Sequence, residues 1–339
     1  MTAPIRTVNI ASPRADFDWR ADGSLLVRNP EPLGSYPSRV GAYLEHWSAT
    51  APNRTLAAER GHDGAWRKIT YVQAIRQARA IGQALIERGL SDDRPVMILS
   101  DNSIEHLLFA LACLYVGVPY SPVSSAYSLL STDFVKLRQC AALLTPGLLF
   151  AANGARFSAA IQAIGSPNTD LVITGESPIG RHAIPLADFL ARIPGPEVDA
   201  AAQRVGPDHV AKILFTSGST GVPKGVINTH RMLCSNQQMI RQVYPVLAEE
   251  PPVLLDWLPW SHTLGGNHDL GIVLANGGAL YIDEGRPVAG KFEATVRNLY
   301  DVSPTAFYSV PKAFEELAAR MRYDAVLRER FFARVKYLF

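Results

Sequence analysis

Leu214-Phe215-Thr216-Ser217-Gly218-Ser219-Thr220-Gly221-Val222-Pro223-Lys224-Gly225-Val226 reads as a buried strand that empties into a loop of glycines and hydroxyls. The apolar run from Val210 to Phe215 supplies the strand. Gly218, Gly221 and Gly225 permit backbone angles that other residues resist, and they let a ligand approach the main chain. The hydroxyls of Ser217, Ser219 and Thr220, with free backbone N–H groups, can converge on anionic oxygens. Lys224 adds one positive charge. A loop of this kind suits the phosphate chain of a nucleotide.

The spacing is not that of the common P-loop, which needs Gly, four residues, then Gly-Lys-Ser/Thr. Gly225 stands where that pattern requires Ser or Thr. No G-x-G-x-x-G fits either, so a dinucleotide site gains nothing from this loop. A Gly/Ser-rich surface linker with a chance lysine is the bland alternative. The full order of residues after a buried strand argues against it.

Thr216 through Gly225 resemble, at every fixed place, the phosphate loop of the adenylate-forming superfamily: Thr/Ser-Ser/Thr-Gly-Ser/Thr-Thr-Gly-x-Pro-Lys-Gly. That superfamily includes acyl-CoA synthetases, aryl-CoA ligases, peptide-synthetase adenylation domains and luciferases. The resemblance implies that Thr216, Ser217, Gly218, Ser219, Thr220, Gly221 and Lys224 bind the β- and γ-phosphates of ATP. It also implies that the Thr220 hydroxyl lies beside Mg²⁺.

A second segment, Asp256-Trp257-Leu258-Pro259-Trp260-Ser261-His262-Thr263-Leu264-Gly265-Gly266-Asn267-His268, resembles the family's Leu-Pro-aromatic-x-His stretch. By that resemblance His262 sits beside the substrate carboxylate and the α-phosphate. Two anions must meet there, so an imidazole donor is physically sensible. Taken alone, His262 reads rather as a loop histidine that caps Gly265 or Gly266, or that faces water. His268 reads as a residue near a helix start.

Residues 117–129, 225–233, 256–267 and 277–285 look like the corresponding stretches of feruloyl-CoA synthetases, and the likeness runs through most of 39–314. It implies an acid:CoA ligase acting on ferulate or another hydroxycinnamate, with ATP, Mg²⁺ and CoA. The same chemistry on a fatty acid is the nearest alternative, and a non-catalytic nucleotide-binding relic is another. Tyr120, Trp257, Trp260, Phe307 and Tyr308 are aromatic candidates for a ring pocket, each with ordinary core packing as its alternative.

The chain has 339 residues, more than one core usually organises, and its 47% apolar and 19% charged content suits a folded protein. A net charge of +2 without a dense Lys/Arg run gives no case for nucleic acid. Cys113, Cys140 and Cys234 are too sparse for a disulfide framework or zinc site, which fits a reducing cytoplasm. No signal peptide is visible, and the apolar run Leu107 to Val118 is too short to span a bilayer. A homodimer is left open.

Strand-like and helical runs alternate along the chain, which predicts an α/β architecture of parallel-sheet subdomains flanked by helices, as in the large N-terminal domain of adenylate-forming enzymes. Helix Thr229 to Val243 follows the glycine loop directly, Pro119 to Val123 is a loop, and a helix runs from His268 to Ala275. The expected divisions are an N-terminal arm at 1–37, a first subdomain at 38–204 and a second at 205–339. The family's later segments, with its small C-terminal domain and catalytic lysine, are not matched after Gly225. Val335 to Phe339 reads as a buried strand, so the expectation is a fragment of a longer ligase.

Overall fold

A computed structural model describes residues 6–166, 168–216 and 221–339. The strands are β1 (Asp16–Trp19), β2 (Leu25–Arg28), β3 (Thr55–Arg60), β4 (Trp66–Thr70), β5 (Val96–Leu99), β6 (Tyr120–Pro122), β7 (Leu148–Ala151) and β8 (Asp170–Ile173). They continue with β9 (Ile184–Pro185), β10 (Val210–Thr216), β11 (Lys224–Thr229), β12 (Val253–Asp256), β13 (Ala279–Ile282), β14 (Ala306–Phe307) and β15 (Tyr337–Leu338). A seven-stranded sheet has the order β11-β10-β6-β5-β7-β8-β9, and a four-stranded sheet the order β12-β13-β3-β4. The α/β class expected from the alternation is the class observed.

Both faces of the main strands are covered, so these strands read as unbroken apolar runs. Alternate residues then serve different cores. Val96 and Ile98 of β5 join Leu148 and Phe150 of β7 in the largest core, which also holds Leu254 and Leu280 of the second sheet. Met97, Leu99, Leu149 and Ala151 point the other way, onto Leu137, Cys140 and Phe157. Leu255 faces a third core with Leu299, Phe307 and Phe331. Helical and sheet layers therefore alternate through the molecule.

Two helices fill the space between the sheets. Tyr71–Glu87 begins with a capping box: Thr70 Oγ1 accepts from the Gln73 N–H, and Gln73 Oε1 accepts from the Thr70 N–H at 2.9 Å. Ile104–Val116 is capped by Ser103, whose Oγ accepts from the His106 N–H at 3.1 Å. Asn102, just before the cap, reaches across to the second sheet. It donates to the Leu258 carbonyl at 2.9 Å and accepts from the Trp260 N–H at 3.1 Å.

Both sheets draw strands from either side of residue 204. β10 and β11, beyond it, complete the sheet of β5 to β9, while β3 and β4, before it, complete the sheet of β12 and β13. Tyr120–Pro122 is a strand between β5 and β10, because its proline comes only at its last residue. Lys224–Thr229 is a strand antiparallel to β10, so the glycine loop closes a hairpin and does not lead directly into a helix. β11 is largely exposed, and its face lacks the burial pattern that betrays an inner strand. Inside the expected 1–37 arm, β1 and β2 form an exposed hairpin, while Arg6 donates to the carbonyls of Phe332, Ala333 and Val335.

The segment after β12 also departs from expectation. A π-helical turn, Leu264–Asp269, precedes the α-helix Leu270–Asn276, so helical structure starts before His268. A Cβ on Gly265 would lie 2.4 Å from the Leu258 carbonyl oxygen, and one on Gly266 would lie 2.2 Å from that of Trp260. Only glycine lets the wide turn press onto the strand end.

This turn buries a carboxylate pair, Asp269 against Asp256 at the end of β12. Neither Oδ2 has another partner among the described residues. Burial pushes both carboxyls up, Asp269 to about 7, and the Asp269 charge raises Asp256 further. Two such groups hold one proton between them more readily than two charges. A carboxyl raised by folding contributes stability that is fully present below the ordinary value of about 4 and fades as pH climbs through the folded value.

Two outcomes are expected. Phe109 is buried and stacked on Phe150 at 4.3 Å, so Phe109→Ala should cost about 3–5 kcal/mol in urea unfolding. The unfolding free energy of the parent should fall from about pH 4 to 7, and Asp269→Asn should flatten that fall. An equal slope in the variant would speak against the shared proton.

Candidate active site

The glycine loop leaves β10 at Thr216 and returns at Lys224, and these two residues are paired across the mouth of the hairpin. Ser217, Gly218, Ser219 and Thr220 lie outside the described residues. Gly221 has φ +78°, a left-handed conformation that glycine adopts without strain, and it is exposed. Lys224 is exposed as well. The described part of the loop therefore offers open main chain and one cation at the carboxyl end of an inner strand, the edge of an α/β sheet at which ligands gather.

His262 is exposed on the turn that follows β12. Its N–H donates to the Pro259 carbonyl at 3.0 Å, and its carbonyl accepts from the Gly266 N–H at 2.8 Å. Ring atom Nδ1 accepts from the Leu264 N–H at 3.4 Å, which leaves Nε2 directed elsewhere. The ring thus caps its own turn, at Leu264 and not at either glycine. His268 lies inside the π-helical turn, with Nδ1 at 2.7 Å from Asp269 Oδ1 and its ring edge-on to Tyr308. Burial lowers its pKa.

Buried and half-buried polar bonds strap the His262 turn to both arms of the hairpin. From β10, the Lys212 ammonium donates to the Gly266 carbonyl at 2.6 Å. From β11, Asn228 Oδ1 accepts from Asn267 Nδ2 at 2.9 Å. Gln237, on the helix His230–Val243, donates to the Asn267 carbonyl at 3.1 Å. Lys212 is buried, and desolvation brings its pKa down to about 7. One lysine inside an apolar run gives no periodic signal, so Lys212 does not stand out in the sequence as a site residue.

A cleft of about 860 Å³ opens beside the turn, at the carboxyl ends of strands from both sheets. Asp101 and Asn102 line it from β5, Asn153 from β7, and Asp283 from β13. Pro259, Trp260 and Ser261, the residues leading into His262, form part of its wall. Burial pushes the Asp101 carboxyl up, but a hydrogen bond from Ser125, then Arg156 at 2.9 Å and Arg286 at 3.5 Å, together hold it below the usual range. The cleft joins side chains far apart in sequence, so spacing alone could not reveal it.

Of the aromatic candidates, Trp257 and Trp260 line this cleft. Trp257 donates its indole N–H to Ser309 Oγ at 3.2 Å. Tyr120, Phe307 and Tyr308 are buried core residues, and Phe307 meets Phe331 edge-on. The three cysteines are buried and free. Among the described residues no group of three His, Cys, Asp or Glu side chains could hold a metal ion, and no helix is long and apolar enough to cross a membrane.

Comparison with known proteins places this geometry. Residues 44–337 match the AMP-binding enzyme family. Long-chain-fatty-acid–CoA ligase ACSBG2 of Mus musculus is 24% identical over 347 residues, covering 95% of this chain and 49% of that protein. Long-chain-fatty-acid–CoA ligase FadD15 of Mycobacterium tuberculosis is 27% identical over 300 residues, covering 86% and 47%. The chain spans about half the length of these curated relatives. Among solved structures, fatty acyl-adenylate ligase from L. pneumophila, in complex with acyl adenylate and pyrophosphate, superposes with a TM-score of 0.63 at 18% identity, over 85% of this chain and 47% of that one. ATP-bound MatB from Rhodopseudomonas palustris gives 0.62 at 22% identity, over 89% and 54%. At such identities the superpositions establish the fold. The family match spans both sheets, the hairpin and the His262 turn, and the chain belongs to the AMP-binding enzyme family.

Proposed function

We propose that this chain carries the phosphate- and acid-binding part of an acid:CoA ligase. The observation that supports it most is the Thr216–Lys224 hairpin, strapped to the His262 turn within a family match over residues 44–337. In the first step a carboxylate oxygen attacks the α-phosphorus of ATP, and the bond to pyrophosphate breaks. In the second, the CoA thiolate attacks the acyl carbon, and AMP leaves.

In this reading Thr216, Ser217, Gly218, Ser219, Thr220, Gly221 and Lys224 hold the β- and γ-phosphates. Backbone amides and hydroxyls aimed at the phosphates lower the repulsion between nucleotide and carboxylate. His262 lies at the reacting carboxylate, with Nε2 free of the turn it caps. Mg²⁺ would come with the nucleotide, held by phosphate oxygens and the Thr220 hydroxyl. The lack of an acidic cage among the described residues suits a metal that takes most of its ligands from phosphate and water. It would supply charge neutralisation.

The acid is a hydroxycinnamate by the resemblance of residues 117–129 and 256–267 to feruloyl-CoA synthetases. A fatty acid is supported by what ACSBG2 and FadD15 are named for. Acid-dependent ATP–pyrophosphate exchange, with ferulate, p-coumarate, benzoate and a fatty-acid series, separates the two. The protein should be this chain beside the longest product of its reading frame. Exchange is expected, with His262→Ala lowering kcat by about 100-fold and Lys224→Ala raising the KM for ATP by about 10-fold. No exchange with any acid in either form would remove the adenylation reading.

A further inference from the structure

Among the described residues Lys212 has no carboxylate partner. An ammonium has three N–H donors. Among the described residues only the Gly266 carbonyl takes one, at 2.6 Å, while the face of Tyr120 lies 5.9 Å away. The side chain projects into a cavity of about 30 Å³ that it shares with Gln237 and Asn267. Both amides are short of a donor there: Gln237 Oε1 and Asn267 Oδ1 are buried without a hydrogen-bond partner among the described residues. Leu233, Leu270 and Leu274 make the rest of the wall apolar. No acidic side chain lines it.

This arrangement is built. A Cβ on Gly271 would lie 2.3 Å from Gln237 Nε2, so the missing side chain admits the amide. The Gln237 and Asn267 amides are already oriented by their nitrogens, which donate to the Asn267 carbonyl and to Asn228 Oδ1. Their oxygens are left over. Burying two N–H donors and two acceptor oxygens unpaired is costly, and an occupant that both accepts and donates would relieve much of that cost. A hydroxyl group does both. About 30 Å³ accommodates one hydroxyl or one water, but not a ring.

The place is informative as well. Gly266, whose carbonyl Lys212 holds, donates its N–H to the His262 carbonyl at 2.8 Å. The cavity therefore begins one turn beyond the residue assigned to the reacting carboxylate. We propose that Lys212, Gln237 and Asn267 form a subsite for a hydroxyl carried by the acid, several bonds from its carboxylate. This assignment rests on the acid-activating reading above, and it adds the feature of the acid that the site selects. Burial brings the Lys212 pKa to about 7, so the amine serves a neutral hydroxyl without requiring a fixed charge partner.

The test compares each hydroxylated acid with its deoxy analogue: 4-hydroxycinnamate with cinnamate, and 16-hydroxyhexadecanoate with hexadecanoate. The longest product of the reading frame is assayed by ATP–pyrophosphate exchange. In one pair the hydroxylated acid should lead in kcat/KM by about 100-fold or more, since a site built for a hydroxyl strongly rejects the analogue without it. Lys212→Met keeps an unbranched side chain one atom shorter and removes a buried cation without a carboxylate partner, so folding should survive, with a melting curve as the check. In that variant, and in Gln237→Met, the preference should shrink to within about 3-fold. Equal rates for both members of each pair in the parent would overturn the subsite while leaving adenylation intact, with a water alone in the cavity. A preference that persists in both variants would overturn the assignment of these residues. No exchange with any acid would sink the subsite together with the reading beneath it.

Discussion

The constraint on which the site depends is the contact between the π-helical turn and the end of β12. Gly265 and Gly266 lie against the carbonyls of Leu258 and Trp260 at distances that exclude any side chain. A larger residue at either place would have to push the turn away from the strand end. His262 would move with it, because the turn that starts at His262 closes on Gly266. The bond from Lys212 would lengthen too, since its acceptor is the Gly266 carbonyl. One pair of missing Cβ atoms thus sets the spacing between the histidine, the hairpin and the cleft wall.

The two sheets make that contact stable by sharing a core. Val96 and Ile98 of one sheet and Leu254 and Leu280 of the other belong to the same buried cluster, with the helix Ile104–Val116 inside it. Asn102 adds a polar tie, joining the end of β5 to Leu258 and Trp260 through both ends of its amide. The cleft opens where these strand ends meet. Its walls are charged because strand ends are where the apolar run of a buried strand gives way to polar residues. The Asp256–Asp269 pair and Lys212 are the buried counterpart of these charged walls, and each is held in place by the turn that carries Gly266 and Asp269.

Much of the framework was legible because apolar runs carry their own signal. The strands Val96–Leu99, Leu148–Ala151 and Ala279–Ile282 are short apolar runs of the kind that marks a buried strand in sequence. Lys224–Thr229 was not legible, since an exposed edge strand lacks the burial that marks the others, and pairing with β10 is a tertiary choice. Tyr120–Pro122 was lost to its proline, a strong local signal overridden by the strands on either side. The start of the helical turn was misplaced because Gly-Gly reads as a break, whereas here it permits a close approach.

For the site, the residues 216–225 and His262 could be named from order and residue type alone, and the loop's match to a family pattern requires no structure. What the sequence by itself determined was the class of fold, the glycine-and-hydroxyl loop and its family, because these are written in local runs and short spacings. Only the tertiary structure decided that the loop closes a hairpin and that the sheets exchange strands across residue 204. It alone brought Lys212, Gln237 and Asn267 to one cavity, and Arg156 and Arg286 to one carboxylate. These pairings join residues tens to more than a hundred positions apart. Long-range contacts are selected by how whole layers pack, and no window along the chain contains that information.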